Sequence, residues 1–272
     1  MALPEWLWDK TIAVYDLETD PIETTKIYMS GVGILTVGSV GDYTYTPSRV
    51  FTGVWAPYST GSMLEAVALI NSCDYRAGFN SVGFDDMEVR KHLGVIFTNQ
   101  HLDGLIISKL IFSKDDLFAM DPKLGVDKAL WGSYKLKAFG QRLGDFKLDF
   151  EDFSEMTHEM ATYCNRDVDL TAHLLMFLLE HESCPLQAVI DIEHAAAAII
   201  AEQTFFGFYL DIDKTRALNT KLLREKGELH RELSAIFTPR WLRDGPEKSY
   251  KKPSQTRKFL PNHNYKPLLG TP

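Results

Sequence analysis

Thr11 to Leu17, Thr-Ile-Ala-Val-Tyr-Asp-Leu, is an apolar run of strand length that ends in acid. A run this apolar must be buried on both faces to repay its desolvation, so other elements have to cover it. Two further strand-like runs follow, Lys26 to Val37 and Tyr43 to Thr52, with Gly38, Gly41 and Asp42 as turn formers between them. Helical spacing then appears over Ser62 to Ser72, a short strand over Asp74 to Phe79, and another helix from Asp85 to Leu93. Three strands followed by alternating helix and strand predict a mixed α/β layer fold with helices packed on a sheet. From Phe153 the pattern turns helical: Ser154 to Glu182, Gln187 to Thr204 and Asp213 to Ile236. After Pro239 the chain is rich in Pro, Lys, Ser and Asn and reads as extended.

Charge is unevenly spread. Arg240 to Pro272 holds eight basic residues against Asp244 and Glu247, a net +6 within a chain of net −8, which leaves −14 for the rest. An acidic body argues against a sequence-specific duplex binder, whose affinity rests on neutralising phosphates, and suits a multi-carboxylate metal site. No apolar run is long enough to cross a membrane, and the first residues lack the basic and apolar regions of a signal peptide. Cys73, Cys164 and Cys184 show no C-x-x-C spacing, so a reducing, cytoplasmic setting is expected.

Three acidic segments carry the candidate chemistry. In Val14-Tyr15-Asp16-Leu17-Glu18-Thr19, alternate strand residues point the same way, which sets the Asp16 and Glu18 carboxylates side by side, roughly 7 Å apart at Cα. Such a pair repels unless a cation neutralises it, and oxygen donors suit Mg²⁺ or Mn²⁺ rather than zinc. Taken alone, D-x-E also fits a solvated strand end. Asn80-Ser81-Val82-Gly83-Phe84-Asp85 runs from a strand through a turn into a helix, placing Asp85 where α/β sites gather; an N-cap, by Asp85 or Asp86, is the plain alternative. In Tyr163-Cys164-Asn165-Arg166-Asp167, Tyr163 and Asp167 stand at i and i+4 and share a helix face, while Asp169 points away and reads as solvated. By itself, this segment reads first as an amphipathic helix with a buried Tyr. Cys164 reads as a small packing residue, and Asp103 as structural or as a brace for the site.

Together, D-x-E, N-x3-F-D and Y-x3-D form an ordered set that resembles the DEDDy 3′–5′ exonucleases of the ribonuclease H-like fold. More narrowly, the chain is similar to the proofreading domain of family A DNA polymerases, the DNA polymerase I and podovirus phage replicative group. Lys135 to Gly144 resembles the segment before the third motif in phage polymerases. Ile192-Glu193-His194 through Glu202, Gly207 and Leu210-Asp211 resembles the helix that leaves the exonuclease and starts the polymerase thumb. A histidine-type site would need H-x4-D, which Asp167 lacks.

The resemblance implies an exonuclease domain over 1–185, a helical thumb-root segment over 186–239 and a basic, extended tail over 240–272. No palm or fingers can follow Asp211, so the polymerase part is expected on another chain or missing, docking on the helical extension and tail. The tail reads equally as a grip on duplex near the primer end or as a linker.

The resemblance also implies two divalent cations, Mg²⁺ or Mn²⁺. Asp16, Glu18 and Asp167 would ligate the first, Asp16 would also touch the second, and Asp85 would reach the second through its water shell. Tyr163 and Glu18 would orient the attacking water. The substrate would be a single-stranded or frayed DNA 3′ end, cut to deoxynucleoside monophosphates, with Leu17, Thr19, Asn80 and Phe84 beside the ligands as candidate groove residues. For Leu17 and Phe84, core packing is the alternative. Two competing readings share the shape: a ribonuclease D-like RNA trimmer, which shares Y-x3-D, and a non-catalytic scaffold subunit of a replication complex.

Overall fold

The computed structural model describes residues 3–20 and 24–236. The basic tail expected over 240–272 lies outside the described residues. A six-stranded mixed sheet of strand order β4-β3-β2-β1-β5-β6 is flanked by helices, consistent with a ribonuclease H-like fold. Its strands are β1 (Thr11–Thr19), β2 (Ile27–Val37), β3 (Tyr43–Thr52), β4 (Gly61–Ser62), β5 (Tyr75–Gly78) and β6 (Gln100–Asp103). The helices of the same compact unit, Met1–Gly207, are α1 (Met63–Ser72), α2 (Asp85–Leu93), α3 (Gly104–Ile111), α4 (Lys114–Leu124), α5 (Leu136–Leu143), α6 (His158–Leu179) and α7 (Gln187–Phe206). The second unit, Phe208–Pro272, contains α8 (Ile212–Ile236), which has no buried residue. Among the described residues no helix is long and apolar enough to cross a membrane.

β1 lies inside the sheet, antiparallel to β2 and parallel to β5, as its two-sided apolar pattern requires. Its alternate residues feed two different cores. Ile12 and Val14 pack with Val168, Leu170 and Leu174 of α6. Ala13, Tyr15 and Leu17 pack with Met63, Ala66, Val67 and Ile70 of α1 and Val89 of α2. Strand alternation therefore places Asp16 and Glu18 on the α6 side.

Gly31 sets how close α6 comes. It pairs with Asp16 across the β1–β2 ladder, and a Cβ there would stand 2.8 Å from Val168 Cγ2 and 3.0 Å from Cys164 Sγ. Only a residue without a side chain lets the helix lie down on the strand beside Asp16. Gly31→Ala is expected to lower stability by about 1–3 kcal/mol, the usual range for overpacking a close contact. Urea denaturation measures it, and wild-type stability would show that α6 can retreat freely.

The expected helix over Ser154 to Glu182 begins later, because Thr157 caps it: its side chain accepts from Met160 N at 3.1 Å. Asp169 is not solvated as its position on the helix suggested. It accepts from the Tyr45 hydroxyl at 2.6 Å and from Ser48 N at 3.0 Å, stapling α6 to β3. The helix face away from the core is covered by the edge of the sheet, which helical periodicity does not reveal.

Candidate functional site

The pairing of β1 with β5 ends at Val14↔Ala77, so the last residues of β1 have an open edge on that side. Asp85 fills it: its Oδ1 accepts from Leu17 N at 3.0 Å. Neither Asp85 nor Asp86 is the N-cap of α2. That position is Phe84, without a side-chain cap bond, and both aspartates lie inside the first turn. Asp86 faces elsewhere, toward Arg76 at 2.8 Å, His101 at 3.2 Å and the Tyr15 hydroxyl. Burial opposes its charge, but His101 and Arg76 outweigh that and hold its carboxyl below the usual range.

The turn that delivers Asp85 is fixed by Asp103. Its carboxylate accepts from Asn80 N at 2.9 Å and Val82 N at 3.2 Å, and also from Leu105 N at 2.9 Å and Ile106 N at 3.4 Å at the start of α3. Asn80 adopts φ 64°, a left-handed conformation that Asn tolerates better than most side chains. Asp103 N in turn donates to His194 Nε2 at 2.6 Å, and His194 Nδ1 lies 2.8 Å from the Ile190 carbonyl. Nδ1 must therefore carry the ring proton. His194 belongs to α7, so that helix is tied to the β6–α3 junction. Both readings of Asp103 hold in one sense: its role is structural, and what it holds is the approach to Asp85.

Asp16, Glu18 and Cys164 offer three ligand atoms within 4.8 Å of one another, a grouping that among the described residues does not extend to Asp85 or Asp167. Those two act on it through charge. Burial, then Asp167, pushes Asp16 up to about 7, with Lys147 pulling back. Burial, then Asp16 and Asp167, pushes Glu18 up to about 10. Asp85 is raised well above its ordinary value by burial, then by Asp16 and Asp86. Burial also raises Asp167, against Lys147. Two acceptor atoms, Glu18 Oε1 and Asp167 Oδ1, are buried with no hydrogen-bond partner. An unsatisfied carboxylate oxygen inside a protein is costly, and an oxygen-rich donor set with spare acceptors fits a hard divalent cation.

Tyr163 and Asp167 do share a face of α6 and both are buried. No sequence pattern points to Lys147, in the loop between α5 and α6. Its ammonium pairs with Asp167 Oδ2 and lies 4.8 Å from the Tyr163 ring centroid. Phe150 and Phe153 flank the same ring, at 5.3 and 5.9 Å. Burial, then the Asp167 charge, holds the Tyr163 phenol above its ordinary value, so it is a neutral donor at any physiological pH. An open groove of about 360 Å³ runs from here, lined by Lys135, Lys137, Lys147, Phe150 and Tyr163 among others.

The residues expected to line a substrate groove separate. Leu17 is buried in the core on the far side of the sheet from Asp16 and Glu18, which corrects its place as a groove residue: strand alternation turns it away. Phe84 is 39% exposed beside Asp85. Asn80 is exposed on the turn, and Thr19 is half-buried at the end of β1. Cys164 is fully buried, and burial, then Glu18 and Asp16, raises its thiol well above the usual value.

No family model matches the chain. It is 29% identical over 209 residues to a DNA-directed DNA polymerase of Escherichia phage T7, a match covering 63% of this chain and 29% of that polymerase. It is 28% identical over 200 residues to a DNA-directed DNA polymerase of Enterobacteria phage T3, covering 60% of this chain and 28% of that one. The match thus spans under a third of the length of these relatives. Among solved structures it is similar to the family B DNA polymerase from the hyperthermophilic archaeon Pyrobaculum calidifontis, at 15% identity and a TM-score of 0.35, covering 72% of this chain and 29% of that one. This last likeness is too distant to carry weight. The sequence matches show a similarity to phage DNA polymerases over about three-fifths of the chain.

Proposed function

We propose that the chain is a metal-dependent 3′–5′ exonuclease that trims single-stranded or frayed DNA 3′ ends to deoxynucleoside monophosphates, proofreading for a DNA polymerase. The reading rests on Glu18 Oε1 and Asp167 Oδ1, buried acceptors without donors among four mutually repelling carboxylates, in a chain similar to phage DNA polymerases. Asp16, Glu18, Asp85 and Asp167 would hold two divalent cations, Mg²⁺ or Mn²⁺. When bound, these neutralise charge on the phosphate and acidify water.

The chain's own side chains do the rest. Tyr163, kept protonated, donates a hydrogen bond toward the attacking water. Lys147 fixes the rotamer of Asp167 by holding one of its oxygens. Lys135 stands in the groove wall, where it would meet a single strand's phosphates, while Lys137 is paired there with Asp149 at 2.6 Å, and Phe84 offers an apolar surface to the terminal base. A mismatched end costs less to unpair than a correct one, so such a groove would select errors without reading sequence. The polymerase part, whether on another polypeptide or in a longer chain, would meet α8, where Leu218, Leu222, Leu229 and Leu233 are exposed at helical spacing.

The test is degradation of an end-labelled single-stranded oligodeoxynucleotide with Mg²⁺ or Mn²⁺, beside a matched RNA and an Asp16→Ala/Glu18→Ala double variant. Stepwise shortening from the DNA 3′ end, absent without metal and in the variant, is the expected result. Faster loss of RNA would replace this reading with an RNA trimmer. Silence on both, from folded protein supplied with a polymerase partner, would leave a scaffold.

A further inference from the structure

Cys164 follows Tyr163 and precedes Asp167 by three positions, so its side chain lies on the Asp167 side of α6. Because α6 rests directly on Gly31, its thiol reaches across β2 to β1 and donates to the Asp16 main-chain oxygen at 3.9 Å. The sulfur therefore sits within 4.8 Å of both an Asp16 and a Glu18 oxygen. A buried cysteine alone is most often a packing residue. The second observation is Glu18: it is 95% buried, and its Oε1 belongs to this cluster's carboxylates yet has no donor. Cys73 and Cys184 join no such group among the described residues.

Two hard oxygens and one soft sulfur at one point make a donor set whose composition depends on the ion. Hard Mg²⁺ takes oxygens, whereas Zn²⁺ and Cd²⁺ bind thiolate strongly.

We propose that Cys164 is a conditional third ligand of the Asp16–Glu18 centre, idle toward Mg²⁺ and engaged by thiophilic divalent ions. The inference builds on the reading that Asp16 and Glu18 hold a cation. On engagement the S–H bond breaks, a sulfur–metal bond forms, and the proton leaves to solvent, with no change of oxidation state. Ions of this kind then gain a ligand that Mg²⁺ lacks, so they bind more tightly and displace it.

The experiment titrates the full chain with Cd²⁺ alone, in a phosphine reductant, and follows the ultraviolet charge-transfer band of a cadmium–thiolate bond. Wild type should develop the band. Cys164→Ser and Cys164→Ala should lose it and bind Cd²⁺ at least about tenfold more weakly, the smallest loss expected when a metal site is deprived of a supporting group. Asp16→Ala/Glu18→Ala should lose the band too. Circular dichroism and melting of each variant establish that it is folded, and two different replacements of Cys164 guard against one that is not. A band of equal strength in both Cys164 variants, or no band in wild type, overturns the proposal. So does a band that survives in the double carboxylate variant, since Cys164 would then be binding alone. Calorimetric titration of wild type with Mg²⁺ separates the two levels: Mg²⁺ binding without the cadmium band refutes the role of Cys164 only, whereas absence of Mg²⁺ binding refutes the cation reading itself.

Discussion

Asp16→Asn is expected to lower 3′-end hydrolysis by about a thousandfold and, at the same time, to raise the melting temperature of the metal-free protein. On the proposed two-cation reading, the loss would follow from removing a charged donor from a centre where bound cations would contribute several kcal/mol to catalysis, each 1.36 kcal/mol being tenfold in rate. The gain follows from electrostatics. Asp16 is pushed from 3.8 to about 7 and Glu18 from 4.5 to about 10, by burial first and then by neighbouring carboxylates. A carboxyl with a folded pKa above its unfolded value binds protons more tightly when folded, so stability falls as pH rises. For Asp16 the fall runs from about pH 4 to pH 7, and for Glu18 it continues toward pH 10.

The amide carries no charge at any of these values and relieves Glu18 as well. The variant should melt close to wild type near pH 4 and progressively higher above pH 7, by about 2–4 °C per kcal/mol of repulsion removed. Added Mg²⁺ should stabilise wild type most at the alkaline end and the variant much less. Differential scanning calorimetry in chelator and in Mg²⁺ across that range checks each limb. A wild-type melting temperature that does not fall between pH 5 and 9 in chelator would show that the carboxylates do not repel as described.

Lys147→Met is expected to produce the opposite imbalance. Lys147 is the cation that opposes the raised values of Asp16, Glu18 and Asp167, and its ammonium holds Asp167 Oδ2 while Oδ1 has no partner. Its own pKa is raised by Asp167, against burial, so its contribution is constant across neutral pH and is lost only in strong alkali. Removing one partner of a buried pair costs about 3–5 kcal/mol when the other charge is left uncompensated. The 22% exposure of the lysine side chain puts the expectation at the lower end of that range. The cost should shrink as pH falls, because Asp167, already raised by burial, can take a proton instead, and Mg²⁺ should recover part of it. Urea denaturation at two pH values, with and without Mg²⁺, tests this. A loss independent of both would assign Lys147 to packing against Tyr163.

What the sequence revealed, and what it did not, follows the range of the forces involved. β1, β2, β3 and α2 were legible because their apolar patterns and turn residues are local. The i, i+4 pairing of Tyr163 with Asp167 was legible because helix geometry alone sets it. β6 was not: Gln-His-Leu-Asp has no alternation, and pairing with β5 makes it a strand. α4 carries Pro122 in its last turn and two aspartates in its first, a pattern that reads as a loop until its capping box, Ser113 with Asp116, is seen. Lys147 was invisible because its partner is 20 residues away. Leu17 was misplaced for a simpler reason. Adjacency in sequence to two carboxylates suggested adjacency in space, yet in a strand the next residue belongs to the other face.

The carboxylate of Asp103 accepts from amides of the β5–α2 turn and of α3, while its own amide is bound by α7. Three parts of the fold are thereby registered against one another at a single residue, as parts are aligned on a common pin. The location of Asp85 is then inherited from that alignment rather than chosen by its own side-chain torsions. Sequence variation at this junction is constrained accordingly: loss of the Asp103 carboxylate leaves the amides of Asn80, Val82, Leu105 and Ile106 without their acceptor, and loss of the His194 ring leaves the Asp103 amide without its own.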